Sequence, residues 1–403
     1  MDIKEIELKD LDPQKFVEEK VAEISSLAGS GLAVNALSGG VDSSATTMLG
    51  HRALGERLKT YFIDHGLMRE GEPQRIVSLF QRLGVPVELV DGRTEFFSAL
   101  KGVTDPEEKR EGITRAFYKD VFGRLVKESG ATHLLQGTNY TDIEETVAGV
   151  KRQHNILEQL GINTVEKYGY KVIEPLASLY KYQVREVARF LGVSQELAER
   201  QPFPGPGLSV RVLGELNSDK LDQLKAATAV VEDALKREKP SQYFAAIMSG
   251  KVAEAPKILR REAANALQID QPQVSAKYVS ERATGIVEGK RSYGFVAAVE
   301  ATDEMGKPVE FGYDKLEAMR IEIQSNFPEV VRVLYKIASR EDDQGYFIAM
   351  RSVDTRDYLT ARISTIPWKT LELASQKILS TCPKVNGVYY DITPKPPGTI
   401  EFE

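Results

Sequence analysis

In the first half of the chain, short apolar runs alternate with longer segments whose apolar residues recur at helical spacing. The short runs predict buried strands at residues 32–36, 58–63, 85–90 and 132–136. The longer segments predict helices at residues 45–54 and 72–83. Asp12 followed by Pro13 predicts the N-cap and first residue of an earlier helix. Strands that alternate with helices in this way predict an α/β fold with a doubly wound parallel sheet.

The second half of the chain begins with a change of composition at residues 201–208, where three prolines and two glycines cannot continue a helix or a central strand. We therefore predict two domains, 1–208 and 209–403. The second domain contains an internal repeat, because residues 293–338 resemble residues 344–392. Each copy predicts a strand, a loop, a helix and a strand, which together form an α+β dimerisation domain. Two further helices are predicted at residues 218–238 and 253–267.

The turn between the first strand and the following helix carries a motif with chemical meaning. Its sequence is Ser38-Gly39-Gly40-Val41-Asp42-Ser43-Ser44. Paired glycines let the main chain approach a ligand, and N–H groups at a helix N-terminus bind anions, with serine hydroxyls as further donors. The Asp42 carboxylate would repel a phosphate unless a divalent cation such as Mg²⁺ lies between them. The motif predicts a cradle for a Mg-nucleotide polyphosphate, although a Gly-Gly turn with an Asp N-cap is the plainer alternative.

Carboxylates also follow two other predicted strands. Asp64 follows the second strand and lies on the ligand side of a parallel sheet, where a helix-capping or turn role is equally compatible. The segment 137–145 is predicted to be a turn dense in carboxylates, which repel one another unless they are solvated or share a cation. With Asp42, we predict that Asp142 and Glu145 complete a Mg²⁺ site. An exposed acidic loop is the competing interpretation.

The polar segment 149–172 is predicted to be a mobile loop over this site, because lids are commonly loops set on a rigid scaffold. It contains His154, which is either a substrate contact or an exposed loop histidine.

Composition narrows the class of protein. The chain has 403 residues, a formal net charge of −6 and one cysteine, Cys382, so it has no internal disulfide or Cys-x-x-Cys pair. No apolar run approaches the roughly 18 residues that a membrane helix needs, and no secretory signal is present, so we expect a cytoplasmic protein. The absence of a strongly basic block argues against a nucleic-acid polymer as partner.

The motif at residues 38–44 resembles the PP-loop of N-type ATP pyrophosphatases, and a longer series of segments resembles GMP synthase. These segments follow the order of that family at residues 38–44, 64–72, 105–110, 136–145, 174–176, 202–215 and 395–403. The resemblance implies a ligase that adenylates O2 of XMP with ATP, releases pyrophosphate and then replaces AMP with ammonia. The amidotransferase domain of single-chain GMP synthases is absent from the sequence. A separate glutamine amidotransferase subunit is therefore an expected ammonia source, and a homodimer is the expected assembly.

The resemblance also assigns candidate roles to residues. Gly137, Thr138 and Asp64 would join the cradle in binding ATP, and Asp42, Lys151 and His154 would be catalytic. The C-terminal tail would fold back onto XMP. The phosphate of XMP would then face Lys395, and Arg110, Arg115 and Arg332 are further candidates for binding it. The purine of XMP would face Ile400 and Glu401.

Two departures from the family pattern keep an alternative open. The lid run reads Val150 to Asn155, which retains Lys151 and His154 but lacks a second histidine. Gly387 stands where the family's final strand begins with a phosphate-binding arginine, whereas the equivalent place in the first copy carries Arg332. We therefore expect Arg332 to replace that arginine, and Gly387→Arg to tighten XMP binding. The alternative is a PP-loop ATP pyrophosphatase that adenylates another carbonyl for amidation or sulfur insertion.

Overall fold

A computed structural model describes residues 11–147, 170–198, 201, 203–340, 345–356 and 358–403, without the side chains of 144–147 and 196. Contacts divide the chain into two compact units. The first unit consists of Met1–Gly66, Gly71–Phe97 and Thr114–Phe203, and the second of Leu67–Glu70, Ser98–Ile113 and Pro204–Glu403. Two short segments from the first half of the sequence thus belong to the second unit. The predicted division into domains at residue 208 stays a prediction.

The first unit contains a parallel sheet of five strands within the described residues, in the order β3-β2-β1-β4-β5. The strands are β1 Ala33–Ala36, β2 Leu58–Asp64, β3 Val87–Asp91, β4 His133–Leu135 and β5 Lys171–Ile173. The α-helices among the described residues of this half are α1 Pro13–Ala28, α2 Val41–Leu54, α3 Glu72–Arg82, α4 Arg93–Leu100, α5 Pro106–Arg115, α6 Phe122–Ser129, α7 Tyr140–Val147, α8 Lys181–Phe190 and α9 Gln195–Ala198. The predicted α/β fold with a parallel sheet is confirmed.

Local signals explain where several helices begin. The Asp12 carboxylate accepts hydrogen bonds from the main-chain N–H groups of Gln14 and Lys15, as expected for an N-cap. The prediction that residues 137–145 form a turn is wrong in its second half, because α7 begins at Tyr140. The helix begins there because Asn139 and Asp142 cap each other. The Asn139 side chain accepts a hydrogen bond from the Asp142 N–H, and the Asp142 carboxylate accepts one from the Asn139 N–H.

The second unit contains a mixed sheet of eight strands within the described residues, in the order β12-β11-β13-β10-β9-β8-β7, with β6 beside β11. The strands are β6 Gln242–Ser249, β7 Val252–Glu254, β8 Val274–Val287, β9 Lys290–Ala301, β10 Val330–Ser339, β11 Tyr346–Asp354, β12 Arg362–Ile363 and β13 Val385–Asp391. The α-helices described after residue 213 are α10 Ser218–Leu235, α11 Lys257–Leu267, α12 Tyr313–Asn326 and α13 Trp368–Thr381. The predicted helix start at residue 253 is wrong, since a proline at 256 disfavours helical backbone before it.

Two β-α-β segments form the middle of this sheet, and we call them copy one (β9, α12, β10) and copy two (β11, α13, β13). Their parallel strands pair in the same register. Phe295 lies opposite Val330 in copy one, and Tyr346 lies opposite Val385 in copy two. The antiparallel pairing of β10 with β13 joins the copies into one sheet.

Within the described residues, no helix is both long and apolar enough to cross a membrane.

Candidate active site

The cradle motif lies at the carboxyl end of β1 and in the first turn of α2, which begins at Val41 rather than at residue 45 as predicted. Gly39 has a φ of +78°, a conformation that glycine adopts without strain. The Ser43 hydroxyl donates to the Gly40 carbonyl (3.1 Å) and accepts from the Ser38 N–H (3.2 Å). These bonds close the loop around the end of the helix, so the cradle is held by its own serines.

A buried polar chain supports the cradle from the interior of the sheet. The Thr60 hydroxyl donates to Asn35 Oδ1 (2.8 Å), and Asn35 Nδ2 donates to Thr47 Oγ1 (2.6 Å). The Thr47 hydroxyl in turn donates to the Ser43 carbonyl (2.7 Å). Because these buried hydrogen bonds fix the first turn of α2 to β1 and β2, the loop is preorganised for a ligand.

Asp42 and the segment after β4 lie next to each other. Asn139 Nδ2 donates to Asp42 Oδ1 (3.3 Å), and the same asparagine caps Asp142. A Cβ at Gly137 would lie 3.1 Å from the Asp42 carbonyl carbon, so the close approach of the two main chains favours glycine there. The buried Thr138 side chain donates to Glu174 Oε1 (2.6 Å).

Asp64 and Ser44 are two further residues predicted for this site. Asp64 stands at the carboxyl end of β2, where its Oδ1 accepts from the Gly66 N–H (2.9 Å). The side chain of Ser44 is fully buried, so its placement does not support a hydroxyl donor to a ligand. The predicted catalytic residues Lys151 and His154 lie outside the described residues, as does the Glu145 side chain.

Carboxylates near the cradle fit a Mg²⁺ ion bound together with a nucleotide. The described residues contain no group of three or more His, Cys, Asp or Glu side chains arranged to hold a metal alone. Mg²⁺ in nucleotide enzymes usually takes one or two carboxylates and completes its coordination with phosphates and water. Asp42 and Asp142, both hydrogen-bonded to Asn139, match that requirement.

In the second unit, buried arginines anchor the C-terminal tail, defined as residues 393–403. Arg332 Nη1 and Arg351 Nη1 both donate to Asp391 Oδ2, at 2.8 and 2.7 Å, and all three side chains are fully buried. Both arginines also donate to the Thr399 carbonyl, each at 2.8 Å. The tail is therefore bound through its main chain.

Other contacts hold the last residues of the tail. Lys109 pairs with the Glu403 carboxylate, and Arg110 donates to the main-chain oxygen of Glu403. Burial raises the pKa of Glu403 to about 7, although the Lys109 charge opposes that shift. Glu401 accepts two hydrogen bonds from Arg211, whereas Lys395 donates to the Tyr358 carbonyl.

Sequence comparisons agree with this arrangement of a PP-loop unit and a tail-bearing unit. Residues 13–195 match the PP-loop domain family, and residues 341–402 match the GMP synthase C terminal domain family. The chain is 39% identical over 392 residues to one subunit of the glutamine-hydrolyzing GMP synthase of Sulfurisphaera tokodaii, covering 97% of this chain and 99% of that protein. The corresponding subunits of Methanopyrus kandleri and Archaeoglobus fulgidus are each 37% identical, over 400 and 393 residues, covering 97% and 98% of this chain and 99% and 100% of theirs.

The chain belongs to the GMP synthase family. Like the relatives that it matches along nearly their whole length, it is an ATP-using ligase subunit, and the alternative of a PP-loop enzyme for a different carbonyl is not favoured. Among solved structures, the NH3-dependent NAD synthetase of Campylobacter jejuni is similar, with 17% identity, a TM-score of 0.38 and coverage of 57% of this chain and 88% of that one.

Within this GMP synthase chain, the arginines predicted to bind substrate differ in their surroundings. Arg332 is fully buried and bonded to Asp391 and the tail, so its placement supports an anchor rather than an exposed phosphate contact. Burial, with the neighbouring Arg351 charge, lowers the pKa of Arg332 to about 9, which leaves it cationic at neutral pH. Arg110 is bonded to Glu107 and Glu403, and Arg115 is exposed.

Sequence reasoning missed several residues that the structure brings to these sites. Lys181, at the start of α8, lies 3.5 Å from Asp42 Oδ2 and supplies a cation beside the cradle. Arg211 and Arg351 hold the tail. A charged residue within an otherwise apolar strand was the available signal for Arg351, because such a charge is buried only when it is paired.

Proposed function

We propose that this chain catalyses the ATP-dependent amidation of XMP to GMP. O2 of the xanthine ring attacks the α-phosphorus of ATP, and the bond to the β-phosphate oxygen breaks to release pyrophosphate. Ammonia then attacks C2 of the adenylated ring and loses a proton, and AMP leaves with O2. The observation that carries this proposal is the self-closed cradle at residues 38–44, with Asp42 and Asp142 joined through Asn139, in a chain of the GMP synthase family.

The residues of the first unit would bind the polyphosphate of ATP. Main-chain N–H groups near Gly39 and Gly40 and the Ser38 hydroxyl would donate to the phosphates, and Lys181 would offset part of their charge. Asp42 and Asp142 would hold Mg²⁺, which when bound supplies positive charge to the leaving pyrophosphate. The contribution of this unit is to orient ATP rather than to form covalent bonds with it.

The tail would bind XMP through side chains that remain partly exposed. Ile400 and Glu401 are both half-buried, so each has a face available to a purine ring. Lys395 would supply a cation for the phosphate, because its ammonium group is held at the surface by the Tyr358 carbonyl.

A separate glutamine amidotransferase subunit would supply ammonia, because the relatives are named as single subunits of a glutamine-hydrolyzing enzyme. We expect turnover with ammonium salts, and turnover with glutamine only after such a subunit is added. We also propose a homodimer formed by the second unit, which analytical ultracentrifugation would test.

The function is tested by pyrophosphate release from ATP in the presence of Mg²⁺, ammonium and XMP. We expect release that depends on XMP, and its loss in Asp42→Asn with the fold retained by circular dichroism. The exposed Asp233→Asn is the matched control and should keep wild-type turnover. A wild type that releases no pyrophosphate with XMP would contradict the proposed substrate, and an active Asp42→Asn would contradict the role of that carboxylate.

A further inference from the structure

The carboxylate of Glu401 is held by a fully buried arginine. Arg211 Nε donates to Glu401 Oε2 at 2.9 Å, and Arg211 Nη2 donates to Oε1 at 3.0 Å. Gln242 Nε2 donates to Oε1 at 3.2 Å. The guanidinium of Arg211 also lies 4.0 Å from the centre of the Phe244 ring, which packs against its face. The plane of the carboxylate is therefore fixed by a rigid partner.

Counting acceptor positions shows what Glu401 can still bind. An ionised carboxylate has two oxygens with about four lone-pair positions in all. Arg211 occupies one on each oxygen, and Gln242 occupies the second on Oε1. One position on Oε2 remains, on a side chain that is 18% exposed. Glu401 can thus accept one further hydrogen bond, from a donor that arrives from the solvent side.

The main chain on both sides of Glu401 is also fixed. Arg351 Nε donates to the Ile400 carbonyl at 2.8 Å, and Arg332 donates to the Glu401 carbonyl. Since Asp391 bridges both arginines, the backbone cannot rotate to turn the carboxylate elsewhere without breaking buried charged hydrogen bonds.

We propose that Arg211 is a positioning residue that aims the remaining Glu401 acceptor at one ring N–H of the XMP base. This inference rests on the proposed function, which already places Glu401 against the base, and adds the residue that orients its carboxylate. A bidentate arginine sets the direction of a carboxylate, whereas a lysine supplies the charge without the fork. Arg211 therefore affects binding of the acceptor nucleotide through Glu401, and leaves ATP binding alone.

Steady-state kinetics of Arg211→Lys, Glu401→Gln and the double variant test this inference. We expect the KM for XMP to rise about tenfold in each single variant, the effect of losing one well-oriented hydrogen bond of about 1.4 kcal/mol. The kcat at saturating XMP and the KM for ATP should stay near wild type. The double variant should be no worse than Glu401→Gln, because Arg211 acts through that carboxylate. Lys336→Gln, which breaks an ion pair in copy one, is the matched control and should leave the KM for XMP unchanged.

Additive effects in the double variant, or a KM for XMP that Arg211→Lys does not change, would overturn the inference. If Arg211→Lys does not fold, Gln242→Met removes the neutral contact to Oε1 and keeps the ion pair. Its effect on the KM for XMP should then be present in the wild-type background and absent in Glu401→Gln. The proposed function fails separately, when the wild type itself releases no pyrophosphate with XMP.

Discussion

Copy one and copy two share a backbone register but carry their charges differently. At the same position of the parallel pair, copy one has Glu300 and Lys336, and copy two has Arg351 and Asp391. The polarity of the ion pair is reversed between them. The side chains of Glu300 and Lys336 are 26% and 16% exposed, whereas both side chains of the pair in copy two are fully buried.

The reversal has a structural consequence, because β10 and β13 are neighbours. An acid at position 391 can accept from Arg351 of its own copy and from Arg332 of copy one. With the polarity of copy one, position 391 would hold a cation against Arg332. The same backbone thus carries a near-surface ion pair in copy one and a tail anchor in copy two. The two copies differ in which of the two paired positions holds the acid and which holds the base.

Removing the shared acid should have the largest effect. Asp391→Asn leaves two buried arginines without their counter-charge, so we expect the free energy of unfolding to fall by about 3–5 kcal/mol. Glu300→Gln in copy one should cost about 1 kcal/mol or less, since partly exposed pairs contribute little. Urea unfolding of both variants measures the difference. Equal losses would show that the two pairs are energetically equivalent and would remove the basis of the comparison.

Making copy two resemble copy one at the arginine position should also be destabilising. A Cβ at Gly387 would lie 2.9 Å from Phe347 Cδ1 and 3.0 Å from Tyr389 Cε2. We therefore expect Gly387→Arg to lower the free energy of unfolding by about 1–3 kcal/mol through overpacking. A loss of stability in Gly387→Arg would contradict the prediction that this substitution tightens XMP binding. Calorimetric titration with XMP, beside a thermal melt, separates the two: tighter binding without a loss of stability would support a phosphate contact at this position instead.

The C-terminal tail should make stability depend on pH through its last residue, Glu403. The pKa of Glu403 is raised to about 7 from an ordinary value of 4.5 because the carboxyl is buried. Below pH 4.5 both states are protonated, and between 4.5 and 7 only the folded state keeps the proton. The contribution of Glu403 to the free energy of unfolding is therefore complete below its pKa in the unfolded state. It is lost as the pH rises through its pKa in the folded state, with a slope of at most about 1.4 kcal/mol per pH unit.

Glu403→Gln supplies the reference for that measurement. The difference in unfolding free energy between wild type and variant should change between pH 4.5 and 7 and stay level above it. A difference that is constant across this window would indicate that Lys109 keeps the carboxylate ionised throughout.

Reversing the pair in copy one should have the smallest effect. The double variant Glu300→Lys, Lys336→Glu keeps one acid and one base at a partly exposed position, so we expect a change below about 0.5 kcal/mol. Each single substitution should cost more than the double one, because it places like charges together. If the double variant unfolds readily, the polarity of copy one is constrained by neighbours other than its partner.

The sequence predicted the parts of the molecule that depend on local patterns. Gly39 and Gly40 between a strand and a helix indicated the cradle, and Asp12 with Pro13 indicated the first helix start. Arg351 and Asp391 are 40 residues apart, and their pairing depends on a sheet order that periodicity does not encode. The same holds for Lys181, whose contact with Asp42 requires knowledge of how α8 packs. The capping of Asp142 by Asn139 was readable in principle, but the dense carboxylates favoured a turn.

The burial of Lys109 limits when its segment can fold while the chain is being synthesised. This lysine belongs to Ser98–Ile113, a segment of the second unit, and its carboxylate partner is 294 residues further along. While the chain is being synthesised, Lys109 has to stay hydrated, because burying an unpaired ammonium group is costly. A ribosome-bound chain that stops near residue 203 therefore lacks the groups that pair with this segment. Its final packing is a late, long-range event in folding, and such events expose a chain to aggregation and to chaperones.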